Sequence, residues 1–354
     1  MKDNHSDEQC QLIEKVIHKG ICVTCGACVG LCPYFDYFDG KVVVVDSCHS
    51  ETGRCLQLCP RTDYMESAIE RAEKKEFEGK TIGAFKEIFI ARSKGEGIRE
   101  RAQYGGVVSA LLTYALDKKL IASAVLTDRG NGISPTGRIA REVSDILGCA
   151  GSRYTASGSL AALNRAIKNG EEKIGVVGLP CQIEAMNRMG LMVPDGKERS
   201  SRISLKIGLF CTWALDYRKL SIHLKDLGIE SPIRKYDIPP PPSQVFQILT
   251  EKGLRELPLE DIRPFIQRGC SLCEDMTAEG ADISVGTVEG LEGWNTVVVR
   301  TVSGATLVND AIHNDIVEKA HLLEVNLKHL KEASLNKRKR GMMAKMELRQ
   351  KDDE

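Results

Sequence analysis

An α/β core preceded by a small, cysteine-rich α+β unit is the fold class this sequence predicts. Three observations predict it. Four cysteines and a proline crowd together near the N-terminus at Cys22, Cys25, Cys28, Cys32 and Pro33. From Lys86 onward, short apolar runs alternate with stretches of helical periodicity, which is the pattern of strands and helices in turn. The chain has 354 residues, more than one compact domain normally holds. The expected units are a cysteine-rich domain over 1–62, a helical linker over 63–85, a core over 86–335 with subregions 86–165 and 166–335, and a charged tail over 336–354.

The first eleven residues are polar, and Leu12, Ile13, Val16 and Ile17 form a short helical pattern. Cys22-x2-Cys25-x2-Cys28-x3-Cys32-Pro33 then follows, the bacterial ferredoxin run, in which three thiolates bend round one iron–sulfur cluster and the fourth reaches a second. Zinc is the rival, but zinc sites usually split their ligands into two separated pairs. The second half of the repeat is irregular: Cys48-x6-Cys55-x3-Cys59-Pro60. Crossed ligation gives the first cluster Cys22, Cys25, Cys28 and Cys59. It leaves the second with Cys32, Cys48 and Cys55 and no fourth thiolate. His49, Glu51, Cys10 or water are candidates for that position. A three-iron cluster, or a lost one whose cysteines only pack, are the alternatives.

Asp63 to Lys80 is heavily charged and reads as a connecting helix. In the core, Glu87–Arg92, Ala122–Thr127, Lys173–Gly178, Ser204–Phe210, Ala281–Gly286 and Thr296–Arg300 read as strands, and Val107–Lys118 as a helix. Pro239–Pro242 must be extended, either a stiff connector or a flap beside a cofactor pocket. The tail from Lys328 reads as a solvated helix, whose Lys337–Arg340 cluster (KRKR) is a candidate docking patch.

Forty-nine basic residues balance forty-nine acidic ones, which gives no global charge argument for nucleic acid, a membrane surface or an acidic partner. No signal peptide is recognisable, and no apolar run approaches the roughly 20 residues that span a bilayer. Thirteen cysteines then read as reduced metal ligands in a cytoplasm, with an anaerobic source as a weaker inference.

A further set of cysteines falls in the core. Cys181 and Cys211 each directly follow a strand, and Cys270 and Cys273 form a CxxC before Asp275. Ligands collect outside the carboxyl ends of strands in α/β sheets, so these four make a credible four-thiolate site. Cys149 reads as a buried small hydrophobe. Gly105-Gly106 opens the helix at Val107. The bland reading is a tight turn; the sharper one is a backbone that approaches a pyrophosphate. Beside iron–sulfur clusters a flavin is the natural cofactor, because it converts hydride chemistry into one-electron steps.

The ordered series Gly105–Leu112, Gly151–Tyr154, Gly178–Gln182, Leu209–Cys211, Cys270 and Cys273 with Asp275, Ala281–Gly286, and Gly293–Thr296 leading to Arg300 resembles the beta-subunit family of coenzyme F420 hydrogenases and dehydrogenases. The likeness spans about residues 86–335. It implies a mixed-sheet α/β core and a cytoplasmic oxidoreductase subunit with FAD and two or three 4Fe-4S clusters, one of them open to a 3Fe-4S form or to loss. It implies that Cys181, Cys211, Cys270 and Cys273 hold the cluster nearest the flavin. Gly105, Gly106 and Ser109 would approach the FAD phosphates, and Ser152 and Tyr154 would line the pocket. Electrons would pass between F420 or NAD(P)H and a partner such as a hydrogenase, a formate dehydrogenase or a heterodisulfide reductase. No residue is demanded as an acid or base. Two other readings stand beside it: a flavin-free relay adaptor, and a stand-alone reductase of a small organic or tetrapyrrole substrate.

Overall fold

The computed structural model describes residues 7–48, 53–62, 81–128, 134–229, 232–239 and 243–353. The linker Asp63 to Lys80, His49, Glu51 and Pro240 to Pro242 therefore lie outside the described residues. The N-terminal unit holds a helix, Asp7–Leu12, continued by a π-helical turn, Ile13–His18. Next come the antiparallel pair β1 (Phe35–Phe38) and β2 (Lys41–Val44), and a short helix, Arg54–Leu58.

The core is one eight-stranded mixed sheet. Its strands are β3 (Glu87–Ser93), β4 (Ser123–Thr127), β5 (Gly137–Ala140), β6 (Ile174–Gly178), β7 (Ile203–Leu209), β11 (Ile283–Thr287), β12 (Asn295–Val299) and β13 (Val317–Ala320), in the order β13-β3-β12-β11-β7-β6-β4-β5. Between β7 and β11 the chain builds a separate antiparallel sheet from β8 (Ile233–Asp237), β9 (Val245–Thr250) and β10 (Gly253–Pro258). Four adjacent strands, β11, β7, β6 and β4, run parallel; β12, β3 and β13 extend the sheet antiparallel on one side and β5 on the other. Short apolar runs explain the parallel set: four of the five residues in each of β4 and β6 are buried, as expected where helices cover both faces. All six expected core strands are present within a residue or two, and the expected helix spans Val107–Asp117.

The parallel order points the carboxyl ends of β6 and β7 the same way, which carries Cys181 and Cys211 to one edge. Cys149 is buried in the hydrophobic core against the Val107–Asp117 helix region.

The cysteine-rich unit is not a free-standing module. Val23, Cys25, Ala27, Leu31 and Leu58 share a hydrophobic cluster with Leu160, Leu163, Ile183 and Met186 of the core. Buried polar groups lock the same seam. Asn164 donates to the carbonyls of Ala27 (2.7 Å) and Val29 (2.8 Å), and its own oxygen accepts from Arg199 (2.7 Å). Arg188 donates to the carbonyls of Cys59 (2.7 Å) and Thr62 (2.9 Å). Each buried group orphaned here costs about 1–3 kcal/mol. Asn164→Leu is therefore expected to lower the denaturation midpoint clearly, and unchanged chemical denaturation would refute the seam's role.

The charged tail is a 30-residue helix, Glu324–Asp353. The expectation of a solvated helix holds on one side only: Ser334, Lys337 and Gly341 are buried, and Ala344 and Leu348 pack onto the N-terminal unit.

Candidate redox site

Cysteine thiols gather in three places. In the first, Cys22, Cys25, Cys28 and Cys59 are mutually close. Burial pushes all four thiols up, Cys25 to about 12, and their neighbours' charges add to the rise at Cys25, Cys28 and Cys59. The loop round them needs left-handed backbone at Thr24 (φ 52°), Gly26 (φ 80°) and Gly30 (φ 74°). That winding aims the Thr24 amide at Cys22 Sγ, 3.4 Å away.

In the second place, Cys32, Cys48 and Cys55 face one another beside Arg54. Burial, then the neighbouring Cys32 and Cys48, pushes Cys55 up to about 12. Cys10 lies half-buried on the first helix of the same unit.

The third place is a cavity in the core lined by Cys181, Cys211, Cys270 and Cys273, with Arg61 and Lys337. Local structure explains how each arrives. Pro180 starts the helix Pro180–Leu191, where its missing N–H and fixed φ are suited to the first turn. Gln182 accepts from the Leu179 amide (2.8 Å) and donates to the Ser157 carbonyl (3.0 Å) and Ser159 hydroxyl (2.7 Å). Cys181 is thus fixed against the segment 155–159. Cys270 sits on a 3-10 turn, Arg268–Leu272, where Ala214 N–H donates to its sulfur at 3.4 Å. Burial is the main cause of the raised Cys181, Cys211 and Cys270 thiols, with Cys211 at about 12.

Thiols held neutral by burial and by each other become thiolates when a metal coordinates them. Four sulfurs on one zinc would stand about 3.8 Å apart, given Zn–S bonds of about 2.3 Å. Among the described residues no three His, Cys, Asp or Glu side chains are placed to hold a single metal ion. Sets of four cysteines are also the ligands of polynuclear iron–sulfur clusters.

Sequence context marks none of three polar residues here as belonging to the cavity; it places Lys337 in the candidate docking patch, and its burial takes it out of any such surface. Ser157 Oγ is buried with no hydrogen-bond partner among the described residues, yet lines the space. Arg61 donates to the carbonyls of Pro60 (2.6 Å) and Gly269 (3.0 Å), bridging the segments that carry Cys59 and Cys270. Lys337, 3% exposed, donates to the Cys211 carbonyl at 2.5 Å. Arg61 and Lys337 reach carbonyls far away in sequence, at Gly269 and Cys211.

The candidate cofactor residues also converge. Ser152 N–H donates to Gln103 Oε1 (3.3 Å), which joins the 150–155 loop to the turn before Gly105. The hydroxyls of Tyr104 and Tyr154 both donate to Asp237 Oδ1, at 3.0 and 3.2 Å. The run Pro239–Pro242 starts two residues beyond that carboxylate. At Gly105 an added Cβ would stand 2.8 Å from Asn295 Oδ1 and 2.9 Å from the Ala91 carbonyl, and Gly106 has φ 76°. Both glycines are thus required by the turn itself. The first helical amide, Val107 N–H, donates to Asn295 Oδ1 at 3.3 Å, and Ser109 is buried.

The motif residues beyond Cys273 are structural. Asp275 accepts from the amides of Thr277 and Glu279, both at 2.9 Å, and Arg300 clamps the carbonyls of Ile82 (3.0 Å) and Ala84 (2.8 Å).

A mixed α/β sheet with cysteines at the ends of its parallel strands, fused to a second thiol-rich unit, defines an oxidoreductase subunit. Residues 88–164 match the N-terminal region, and residues 171–324 the C-terminal region, of the family described as coenzyme F420 hydrogenase/dehydrogenase, beta subunit. The chain belongs to this family. It is 33% identical to the coenzyme F420 hydrogenase subunit beta of Methanothermobacter thermautotrophicus over 69% of this chain and 87% of that one. It is 30% identical to the coenzyme F420-dependent sulfite reductase of Methanocaldococcus jannaschii over 90% of this chain and 51% of that protein. A chain of the F420-reducing [NiFe] hydrogenase complex from Methanosarcina barkeri superposes with a TM-score of 0.70 at 28% identity, over 76% of this chain and 94% of that one. No helix among the described residues is long and apolar enough to cross a membrane.

Proposed function

We propose that this chain is a cytoplasmic iron–sulfur flavoprotein subunit that passes electrons between a hydride carrier and the clusters of a partner complex. Relatives named for F420-dependent hydrogenase and sulfite reductase favour F420 over NAD(P)H as that carrier. They favour a hydrogenase-like partner over a heterodisulfide reductase. Cys181, Cys211, Cys270 and Cys273 would hold a core 4Fe-4S cluster, and Cys22, Cys25, Cys28 and Cys59 a second. Cys32, Cys48 and Cys55 supply three thiolates, which suits a 3Fe-4S cluster or one completed by Cys10, His49, Glu51 or water. FAD would lie along Gly105, Gly106, Ser109, Ser152 and Tyr154. When bound, these groups supply the step from a two-electron hydride to single electrons.

The observation that carries this reading is a short piece of backbone. Tyr154, among the candidate flavin residues, and Ser157, in the thiol cavity, are three residues apart. Three residues span at most about 11 Å. Cys181 in turn is near enough to Cys25 for their charges to interact. These two short links support a route in series from a hydride-facing loop through a core site to an N-terminal site. They position and shield; no side chain is required to take a proton.

Anaerobic reconstitution, cofactor extraction and reduction by F420H2, NADH and NADPH test the proposal. The expected result is one flavin per chain, bleached fastest by F420H2. A reconstituted protein without flavin would be a relay adaptor instead, and indifference to all three donors would remove hydride entry at this chain.

A further inference from the structure

The C-terminal helix Glu324–Asp353 starts where the matched family region ends, at residue 324, yet it reaches into the core thiol cavity. Ser334, Lys337, Gly341, Ala344 and Leu348 follow one another at alternating steps of three and four and turn inward. Ser334 Oγ donates to the Thr81 carbonyl at 2.6 Å, on one side of Lys337. On the other side, Gly341 lies so near Cys273 that an added Cβ would come 2.8 Å from its carbonyl oxygen. Two other cations of the helix are paired outside the cavity: Arg338 with Glu279 at 2.5 Å and Lys345 with Glu274 at 2.9 Å.

Lys337 differs from both. A buried ammonium ordinarily keeps a carboxylate partner. Among the described residues, Lys337 has none at ion-pair distance; its Nζ is tied to the Cys211 carbonyl and faces Cys211, Cys270 and Cys273, with the Asp275 carboxylate acting on it from beyond ion-pair range. Anchored on both sides, the helix leaves the ammonium no route back to water.

We propose that Lys337 is a positioning residue for the core centre: a fixed ammonium, held at the sulfur ligands by the C-terminal helix, that favours the reduced form of a cluster bound by Cys181, Cys211, Cys270 and Cys273. This rests on the proposed cluster at those cysteines. Adding one electron, supplied by the reduced hydride acceptor, puts one more negative charge at the site. No bond is made or broken, and Lys337 keeps its protons. Cluster potentials respond to nearby charge and to hydrogen bonds at the sulfurs, and a charge counts for more in a water-poor interior.

Anaerobic redox titration of the reconstituted full chain, followed by electron paramagnetic resonance, tests this. The core signal is identified as the one lost, with its iron and sulfide, in Cys211→Ser. Lys337→Gln keeps a donor for the carbonyl and removes the charge. It is expected to lower the ratio of reduced to oxidised core centre at least tenfold at a fixed potential, about 59 mV for one electron, and to leave the N-terminal signals in place. Lys337→Arg should restore most of that shift. An unmoved midpoint in Lys337→Gln overturns the proposal, as does an arginine variant displaced as far as the glutamine one. If Lys337→Gln loses the core iron, Lys337→Met is titrated in its place. Loss of iron from both shows that the lysine builds the site and does not set its potential, which also overturns the proposal. Equal iron and sulfide in Cys211→Ser and the parent protein would mean instead that the underlying cluster reading is wrong.

Discussion

Serine at position 181 is expected to empty the core centre and to disconnect the two ends of the protein. Groups that merely hydrogen-bond to metal ligands alter metal affinity by about 10–100-fold, so the loss of a ligating thiolate should exceed about 100-fold. Iron should fall by about four atoms per chain. The N-terminal centres should remain, because Cys22, Cys25, Cys28 and Cys59 belong to a separate gathering of thiols. Any bound flavin should still be reduced by its hydride donor, while transfer onward to a one-electron acceptor collapses. Cys149→Ala is the matched control: it removes a thiol buried in the apolar core and should leave the iron content untouched. A Cys181→Ser protein with full iron and rapid transfer to the acceptor would sink the core-centre assignment.

Much of this was legible in the sequence because its signals are local. The run Cys22 to Cys32 carries its meaning in its spacing, and the core strands are written as apolar β-branched stretches. Cys181 and Cys211 could be placed at one edge once each was seen to follow a strand, since parallel strands align their carboxyl ends. What stayed hidden has no local signal. Arg61 meets Gly269, Arg188 meets Cys59 and Lys337 meets Cys211 only because the fold brings distant segments together.

The C-terminal helix shows the limit clearly. Its inward stripe of Ser334, Lys337, Gly341, Ala344 and Leu348 has the three-four spacing of a buried seam. Only one of those five is a large apolar residue, so a reading based on hydrophobicity finds a solvated helix. The burial is real, but it is made by small residues and one lysine. The glycine pair at Gly105 is the opposite case. Its sequence context invites a phosphate, while the close approach to Asn295 and the positive φ of Gly106 account for both glycines without one.

Alanine at position 26 is expected to be among the most damaging single changes to stability, and the reason is geometric. Gly26 sits between Cys25 and Cys28 with φ 80°, a backbone that costs an L side chain about 1–2 kcal/mol. An added Cβ would also stand 2.5 Å from the Gly158 carbonyl oxygen and 2.8 Å from its Cα, both backbone atoms with no rotamer to turn away. Overpacking of this kind costs about 1–3 kcal/mol more, giving about 2–5 kcal/mol together. Gly158 cannot retreat: its own missing Cβ leaves room for the Tyr37 ring, whose nearest atom would be 2.5 Å from one. Nor can the cysteine loop lift away, because Leu160 N–H donates to the Cys25 carbonyl at 3.2 Å and Asn164 grips the Ala27 carbonyl. The strain therefore falls on the contact that sets the N-terminal thiols against the core. Anaerobic thermal unfolding of reconstituted Gly26→Ala should show a midpoint at least about 3 °C lower than the parent protein. Slower transfer between the core and N-terminal centres should accompany it, since the same loop carries Cys25 towards Cys181. Gly20→Ala is the comparison that isolates the clash. Gly20 is also left-handed, at φ 65°, but nothing lies within 4 Å of its added Cβ, so only the backbone penalty applies. If the two variants unfold at the same temperature, close packing of the loop on Gly158 contributes nothing, and the tight seam is not what holds the two thiol sites together.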